Sequence, residues 1–272
     1  MTSRLGLPLL FSLCWLESSA PCARAWQDNL PYTRQEDVIY GRKFGTALTL
    51  DVFAPKEKAN GAGVIFVVSG GWFSAHDSAG NRTFLDEFIK RGYTVFAVVH
   101  GSQPKFTIPE CVADMNRAVR FIRAHAADYK IDPNRIGITG ASAGGHLSLM
   151  LGCAGDTGNS DAKDPVDRQS SRVQAVACFF PPTDFLNYGQ QGVKSLGIEP
   201  EHRFKPPFDF REQDPLTKLF KPVDMDKREA ICKEMSPCYH VTKEDAPTLI
   251  IHGDADALVP LQQSELICER FK

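Results

Sequence analysis

The residue types best suited to chemistry lie between Arg135 and His146. This stretch reads Arg-Ile-Gly-Ile-Thr-Gly-Ala-Ser-Ala-Gly-Gly-His. A β-branched run precedes the glycines and an apolar helical pattern follows them, which places Ser142 where a strand turns into a helix. Glycines on either side of such a sharp turn let the strand and the helix pass close together. The pattern predicts that Ser142 is a nucleophile and that the N–H of Ala143 faces an oxyanion. The alternative is a glycine-rich turn with an incidental serine.

A second pair of glycines follows another apolar run. Val64 to Val68 reads as a buried strand, and Ser-Gly-Gly-Trp comes directly after it. Glycines at the end of a strand let backbone N–H groups approach a ligand without interference from a Cβ atom. We therefore predict Gly71 and Gly70 as further oxyanion donors. The alternative is a plain tight turn.

A carboxylate-rich turn follows the last apolar run of the chain. The sequence from Leu249 reads Leu-Ile-Ile-His-Gly-Asp-Ala-Asp-Ala-Leu-Val-Pro. Asp254 and Asp256 are both able to orient an imidazole, and either can instead cap the helix predicted from Pro260. The residues alone leave this choice open.

Together, the motifs at Gly140–Gly144 and His252–Pro260 resemble those of the α/β-hydrolase superfamily. Within it, the chain from about Val38 to its end is most similar to the carboxylesterase and lipase group, which includes prolyl-oligopeptidase-like and BD-FAE-like esterases. The resemblance implies that Asp256 is the acid of a Ser-Asp-His triad and that Asp254 is structural. It also implies that no metal or organic cofactor is needed.

The histidine base is where the chain departs from that family, in which the base follows the acid. No histidine follows Asp256. We therefore expect the chain as given to lack its catalytic histidine, together with the last strand and helix of the fold. The alternative is that an earlier histidine substitutes. The seven candidates are His76, His100, His125, His146, His202, His240 and His252.

Strands that alternate with helices must position these residues. The apolar runs predict strands and helices in the order expected of a doubly wound, mostly parallel sheet, the α/β-hydrolase fold. We assign residues 36–272 to this domain. The segment 181–245 is aromatic, shows no strand signal and is predicted to be a small helical cap over the site. Predicted strands lie at 38–40, 46–53, 63–68, 94–99, 173–180 and 248–252, with a long helix at 108–129.

The N-terminus has the pattern of a secretory signal peptide. Met1–Arg4 is basic, Leu5–Leu16 is almost wholly apolar, and Ala23-Arg24-Ala25 supplies small residues before a cleavage site. We predict cleavage after Ala25 and a secreted or periplasmic protein without a membrane anchor. The alternative is an uncleaved extension. In an oxidising compartment, Cys232 and Cys238 are near enough in sequence to pair, which the spacing leaves open.

These features predict a serine hydrolase that cleaves a carboxylic ester through an acyl-enzyme on Ser142, with a small-molecule or polysaccharide-linked ester as substrate. A net charge of −2 without a Lys/Arg block argues against nucleic acid as a partner. One alternative is a prolyl-oligopeptidase-like peptidase, although the roughly 35 residues before the first predicted strand are too few for a propeller. Another is a non-catalytic hydrolase-fold binding protein, which the lack of a histidine after Asp256 favours.

Overall fold

A seven-stranded sheet forms the centre of the molecule in the computed structural model, which describes residues 30–80, 82–198 and 204–272. Its strand order is β1-β2-β4-β3-β5-β6-β9. β1 and β2 are antiparallel to their neighbours, and the other pairs are parallel. The strands of the chain are β1 (Tyr32–Lys43), β2 (Thr46–Pro55), β3 (Gly63–Val68), β4 (Thr94–Val99), β5 (Ile136–Ala141), β6 (Ala175–Phe179), β7 (Arg211–Gln213), β8 (Phe220–Pro222) and β9 (Thr248–Ile251).

Helices connect the parallel strands, as the right-handed crossovers of such a sheet require. They are α1 (His76–Ala79), α2 (Arg82–Lys90), α3 (Ile108–Ala124), α4 (Ala143–Ala154), α5 (Met225–Glu234) and α6 (Gln262–Arg270), with 3₁₀ turns at Pro165–Arg168 and Pro237–Tyr239. Within the described part of the chain, no helix combines the length and the apolar character needed to cross a bilayer. The predicted signal peptide lies outside the described residues.

The apolar runs of the sequence become the buried core. The side chains of Ile65 and Phe96, on the neighbouring strands β3 and β4, are fully buried. α3 packs a buried stripe against the sheet, because its apolar residues recur at helical spacing. Its first turn is fixed by a capping box, in which the carboxylate of Glu110 accepts from the backbone N–H of Thr107 at 2.8 Å. The predicted doubly wound, mostly parallel sheet is confirmed.

Three details differ from the sequence prediction. The strand predicted at 38–40 is part of the longer β1, which continues to Lys43, and the hairpin turns at Phe44 and Gly45, both at positive φ. α3 ends at Ala124, because the chain then makes separate turns through residue 130. The prediction that the segment 181–245 contains no strand was wrong. β7 and β8 form a hairpin there, and strands of three residues are too short to show an alternating pattern.

The described sheet ends at β9, which pairs with β6 alone. Leu249 and Ile251 point to the same side of this strand and are 58% and 50% exposed. The expectation that a further strand and helix are missing here stays a prediction. No disulfide joins Cys232 to Cys238 in the described chain, although both thiols are buried.

Candidate active site

Ser142 occupies the junction between β5 and α4 in a strained backbone conformation. Its φ and ψ are 52° and −118°, a region that residues with a Cβ atom rarely adopt. The backbone on both sides fixes this conformation. The N–H of Ser142 donates to the carbonyl of Phe179 at 2.9 Å, and the carbonyl of Ser142 accepts from the N–H of His146 at 2.9 Å. Ser142 therefore lies on a sharp turn of the kind that its sequence context predicts.

The glycines around Ser142 are required by close backbone contacts. A Cβ atom at Gly140 would lie 2.6 Å from backbone atoms of Gly144, and one at Gly145 would lie 2.9 Å from the carbonyl oxygen of Phe179. Real Cβ atoms do not approach other atoms this closely. Strand and helix therefore pass within contact distance, and side chains at these positions would push α4 away from the sheet.

The glycine turn after β3 lies beside this junction, because β3 pairs with β5. Gly70 and Phe73 exchange two backbone hydrogen bonds of 3.0 Å, so the N–H of Gly70 is already engaged. Gly71 and Trp72 have positive φ values of 56° and 60°. Among the hydrogen bonds of the described residues, none uses the N–H of Gly71. Of the two predicted donors in this turn, Gly71 is the better placed to bind a ligand.

A buried histidine that the sequence reasoning did not single out fixes the start of this turn. Nδ1 of His100 bonds the carbonyl of Gly101 at 2.8 Å and is therefore protonated, so Nε2 accepts from Oγ of Ser69 at 2.8 Å. The N–H of His100 also donates to Oγ of Ser74, which in turn donates to the carbonyl of Val68. Burial lowers the pKa of His100 to about 4, so the ring is neutral at pH 7. In the sequence, a polar residue directly after the apolar run of β4 was the signal that could have identified His100.

His146 supports the site from beneath. Nε1 of Trp72 donates to Nδ1 of His146 at 3.3 Å, and Nε2 of His146 donates to the carbonyl of Met235 at 2.7 Å. Phe185 and Phe204 pack against the ring of Trp72. Residues of the segment 181–245 thus hold the glycine turn and α4 together. Burial lowers the pKa of His146 to about 4, which keeps this ring neutral as well.

The carboxylate turn after β9 is organised by Asp256. Oδ1 of Asp256 accepts from the N–H groups of Leu258 and Val259 at 2.8 and 2.9 Å. Within the described part of the chain, the nearest partner of Oδ2 is Nε2 of His252, at 3.7 Å. The His252 ring already bonds Oγ of Ser264 and the carbonyl of Val259. Asp254 is exposed, and the prediction that it is structural stays a prediction.

The serine and the carboxylate turn lie at the same edge of the sheet, separated by one strand. Ser142 bonds the carbonyl of Phe179 at the end of β6, and the next residue, Phe180, donates to the carbonyl of Ile251 at the end of β9. Two strand spacings amount to about 10 Å.

The described histidines do not serve as a base on Ser142 in this structure. Among the described residues, no hydrogen bond joins a histidine to the hydroxyl of Ser142. His125 bonds the carbonyl of Phe121 and His240 bonds the carbonyl of Glu234, in addition to the engaged rings above. His202 lies outside the described residues. The structure therefore brings together Ser142, Ala143, Gly70 and Gly71 at adjoining turns, without an imidazole on the serine.

Comparison with known proteins identifies the family. The family model BD-FAE matches residues 50–271, which is most of the chain. The chain belongs to the BD-FAE family. A solved structure described as a truncated form of a carbohydrate esterase from gut microbiota superposes on this BD-FAE chain with a TM-score of 0.66 and 28% identity, over 89% of this chain and 84% of that one. The sheet is accordingly that of the α/β-hydrolase fold.

Two curated relatives of this BD-FAE chain come from Mycobacterium tuberculosis. The probable carboxylic ester hydrolase LipM is 29% identical over 89% of this chain and 52% of its own length. The esterase LipC is 26% identical over 89% of this chain and 56% of its own length. The chain thus spans about half the length of the curated relatives it matches.

Proposed function

We propose that this BD-FAE chain is a carboxylic ester hydrolase that works through an acyl-enzyme on Ser142. The observation that carries the proposal is the strained conformation of Ser142 between β5 and α4, at φ 52° and ψ −118°. Backbone strain of this kind persists only where the surroundings impose it, and it is concentrated at functional sites. The esterase names of LipM and LipC and the carbohydrate esterase neighbour support the same activity.

The reaction begins when the hydroxyl of Ser142 attacks the ester carbonyl. As the tetrahedral intermediate forms, the carbonyl oxygen gains negative charge, which the N–H groups of Ala143 and Gly71 stabilise. The proton of the serine passes to an imidazole and then to the departing alcohol. Water cleaves the acyl-enzyme in a second, similar cycle. No metal or organic cofactor enters either step.

Asp256 is the group that would hold the imidazole. Its Oδ1 already accepts two backbone N–H groups, so Oδ2 is the oxygen left to accept Nδ1–H of the base. The two bonds to Oδ1 hold the carboxylate in place, and Oδ2 would be available to accept from an incoming imidazole ring. The substrate is a small-molecule or polysaccharide-linked ester, a class that the description of the gut carbohydrate esterase supports. The N-terminal pattern supports secretion or a periplasmic location.

Imidazole supplied from solution tests this assignment. We expect added imidazole to increase the rate at which the 272-residue chain hydrolyses 4-nitrophenyl acetate. This rate should exceed the rate that the Ser142→Ala variant gives with the same concentration of imidazole. Asp256→Asn should lose most of this increase. Ser160→Ala, which alters an exposed loop serine, should keep it. Equal imidazole-dependent rates in the wild type and Ser142→Ala would contradict the proposal.

A second candidate function is a non-catalytic binding protein of the same fold. It is favoured by one observation, that no described histidine forms a hydrogen bond with the hydroxyl of Ser142. A fluorophosphonate probe separates the two functions, because only an activated serine reacts with it rapidly. Labelling at Ser142 in the presence of imidazole supports the hydrolase. Ester binding without labelling, unchanged by Ser142→Ala, would support the binding protein.

A further inference from the structure

We propose a divalent metal site formed by Asp37, Asp51 and His76. One ligand atom from each of these residues lies within 4.8 Å of the other two. The site is independent of the proposed function, since it rests on none of the residues placed in the ester hydrolysis. Its ligands come from the β1–β2 hairpin and from α1.

The fold builds this cluster from a bulge and a turn. The pairing of β1 with β2 shifts register between Gln35 and Val38, and Asp37 at this bulge has a φ of 55°. Bulges re-aim side chains, and this one directs the Asp37 carboxylate towards the neighbouring strand. The N–H of Asp37 donates to Oδ1 of Asp51 at 3.1 Å, which fixes the bulge against β2. α1 then brings His76 to the same point.

The histidine nitrogen is the observation that points to a ligand. Nε2 of His76 is buried and has no hydrogen-bond partner among the described residues. It lies 3.5 Å from Oδ1 of Asp51 and 3.8 Å from Oδ1 of Asp37. Both distances exceed an N–H···O hydrogen bond. They approach the separation of about 3.4 Å between ligands of a tetrahedral zinc ion with bonds of about 2.0–2.1 Å.

The charges around the cluster also favour a dication. The Asp51 side chain is only 1% exposed, and its Oδ2 accepts from Nε and Nη2 of Arg34. Arg34 also pairs with Glu36 at 3.1 Å. The three carboxylates of Asp37, Asp51 and Glu36 and the one guanidinium of Arg34 together carry a formal charge of −2, which a divalent ion would neutralise. Arg34 orients Asp51 through the oxygen that the metal does not use, as partners of metal ligands commonly do.

The ligand set selects the kind of metal. One imidazole and two carboxylates suit zinc and similar first-row ions, whereas magnesium and calcium prefer oxygen ligands alone. Three protein ligands leave a fourth position for water, beside the exposed carboxylate of Asp37. Because His76 follows the glycine turn by a few residues, the ion would fasten the end of that turn to the β1–β2 hairpin.

Thermal unfolding of the full chain after chelator treatment tests the site. At a free Zn²⁺ concentration about 100 times Kd, the melting temperature should rise by roughly 5–10 °C. His76→Gln and Asp37→Asn should abolish the rise. Asp77→Asn removes an exposed carboxylate next to His76 and should retain it. Co²⁺ in place of Zn²⁺ should give the visible absorption of a tetrahedral site, and His76→Gln should lack it.

Three outcomes would overturn the proposal. One is an unchanged melting temperature with Zn²⁺, which would mean that the cluster binds no metal ion. Another is an equal rise in His76→Gln, which would place the metal elsewhere on the chain. The third is an equal rise with Mg²⁺, which would indicate general screening of carboxylate charge. Because each variant is compared with and without metal, a loss of stability caused by the substitution itself does not affect the result.

Discussion

Replacing Gly140 with alanine gives the sharpest test of the strand-to-helix junction. The new Cβ would lie 2.6 Å from the carbonyl carbon and oxygen of Gly144, atoms of the α4 backbone. Carbon atoms in contact normally stay about 3.5–4.0 Å apart, so the overlap is about 1 Å. Since backbone cannot rotate away as a side chain does, α4 must shift. Overpacking of this kind costs about 1–3 kcal/mol, a fall in melting temperature of roughly 2–12 °C.

Activity should fall further than stability in this variant. The shift of α4 moves Ser142 and Ala143 together, and a displacement of about 1 Å at a reacting group lowers the rate by about 100-fold. The matched control is Gly137→Ala in the same strand, where the nearest atom to the new Cβ is the carbonyl oxygen of Ala175 at an ordinary 3.5 Å. This control should melt at or slightly above the wild-type temperature, because alanine restricts the unfolded chain.

Both variants can be compared in thermal melts and in the imidazole-dependent esterase assay. The reasoning fails if Gly140→Ala melts at the same temperature as Gly137→Ala. It also fails if Gly140→Ala keeps the wild-type rate, since the junction would then tolerate the movement that the contact distances forbid.

The other predictions concern groups around the two turns. Asp256→Asn should lower the imidazole-dependent rate by several orders of magnitude. Its melting temperature should change little, because the amide oxygen still accepts the two backbone N–H bonds. Asp254→Asn should change neither the rate nor the melting temperature, and the reverse result would exchange the roles of the two residues. Ser69→Ala should destabilise the fold by about 1–3 kcal/mol in urea denaturation, because it leaves Nε2 of the buried His100 without a donor; an unchanged midpoint would count against the bond. The pKa values of His100 and His146 in the folded chain are about 4, below the ordinary value of 6.5. As the pH falls, the unfolded chain therefore binds protons before the folded chain does. The stability present above pH 6.5 is then lost between pH 6.5 and 4, by up to about 1.4 kcal/mol per pH unit for each ring. His100→Gln should flatten this pH dependence, and an unaltered slope would show that other groups produce it.

The sequence was informative wherever the signal is local. A β-branched run, a G-x-S-x-G pentapeptide and an apolar helical pattern occupy consecutive positions, so the junction at Ser142 was predicted to the residue. The buried runs of β3 and β4 were predicted with the observed bounds, because strands covered on both faces are continuously apolar. The hairpin of β7 and β8 escaped, since three residues carry no readable periodicity.

Contacts between distant segments could not be predicted in the same way. His146 was named as one of seven candidate histidines, but its bond to the carbonyl of Met235 joins residues 89 positions apart. The cluster of Asp37, Asp51 and His76 likewise depends on a bulge and on the packing of α1. Neither feature produces a sequence pattern with a fixed spacing. Asp256 was chosen from a family pattern, while its two backbone bonds follow from the turn that only the folded chain shows.

The way in which the strain at Ser142 is maintained favours catalysis over simple binding. A residue with a Cβ at this φ and ψ costs about 1–3 kcal/mol, which a protein recovers only if the surrounding contacts impose the conformation. Here Phe179 and His146 bond the backbone of Ser142 on its two sides, and the His146 ring is itself fixed between Trp72 and Met235. A binding surface gains nothing from a serine whose backbone is held in a strained conformation. A nucleophile does, because its hydroxyl and the adjacent N–H of Ala143 must face the same carbonyl group.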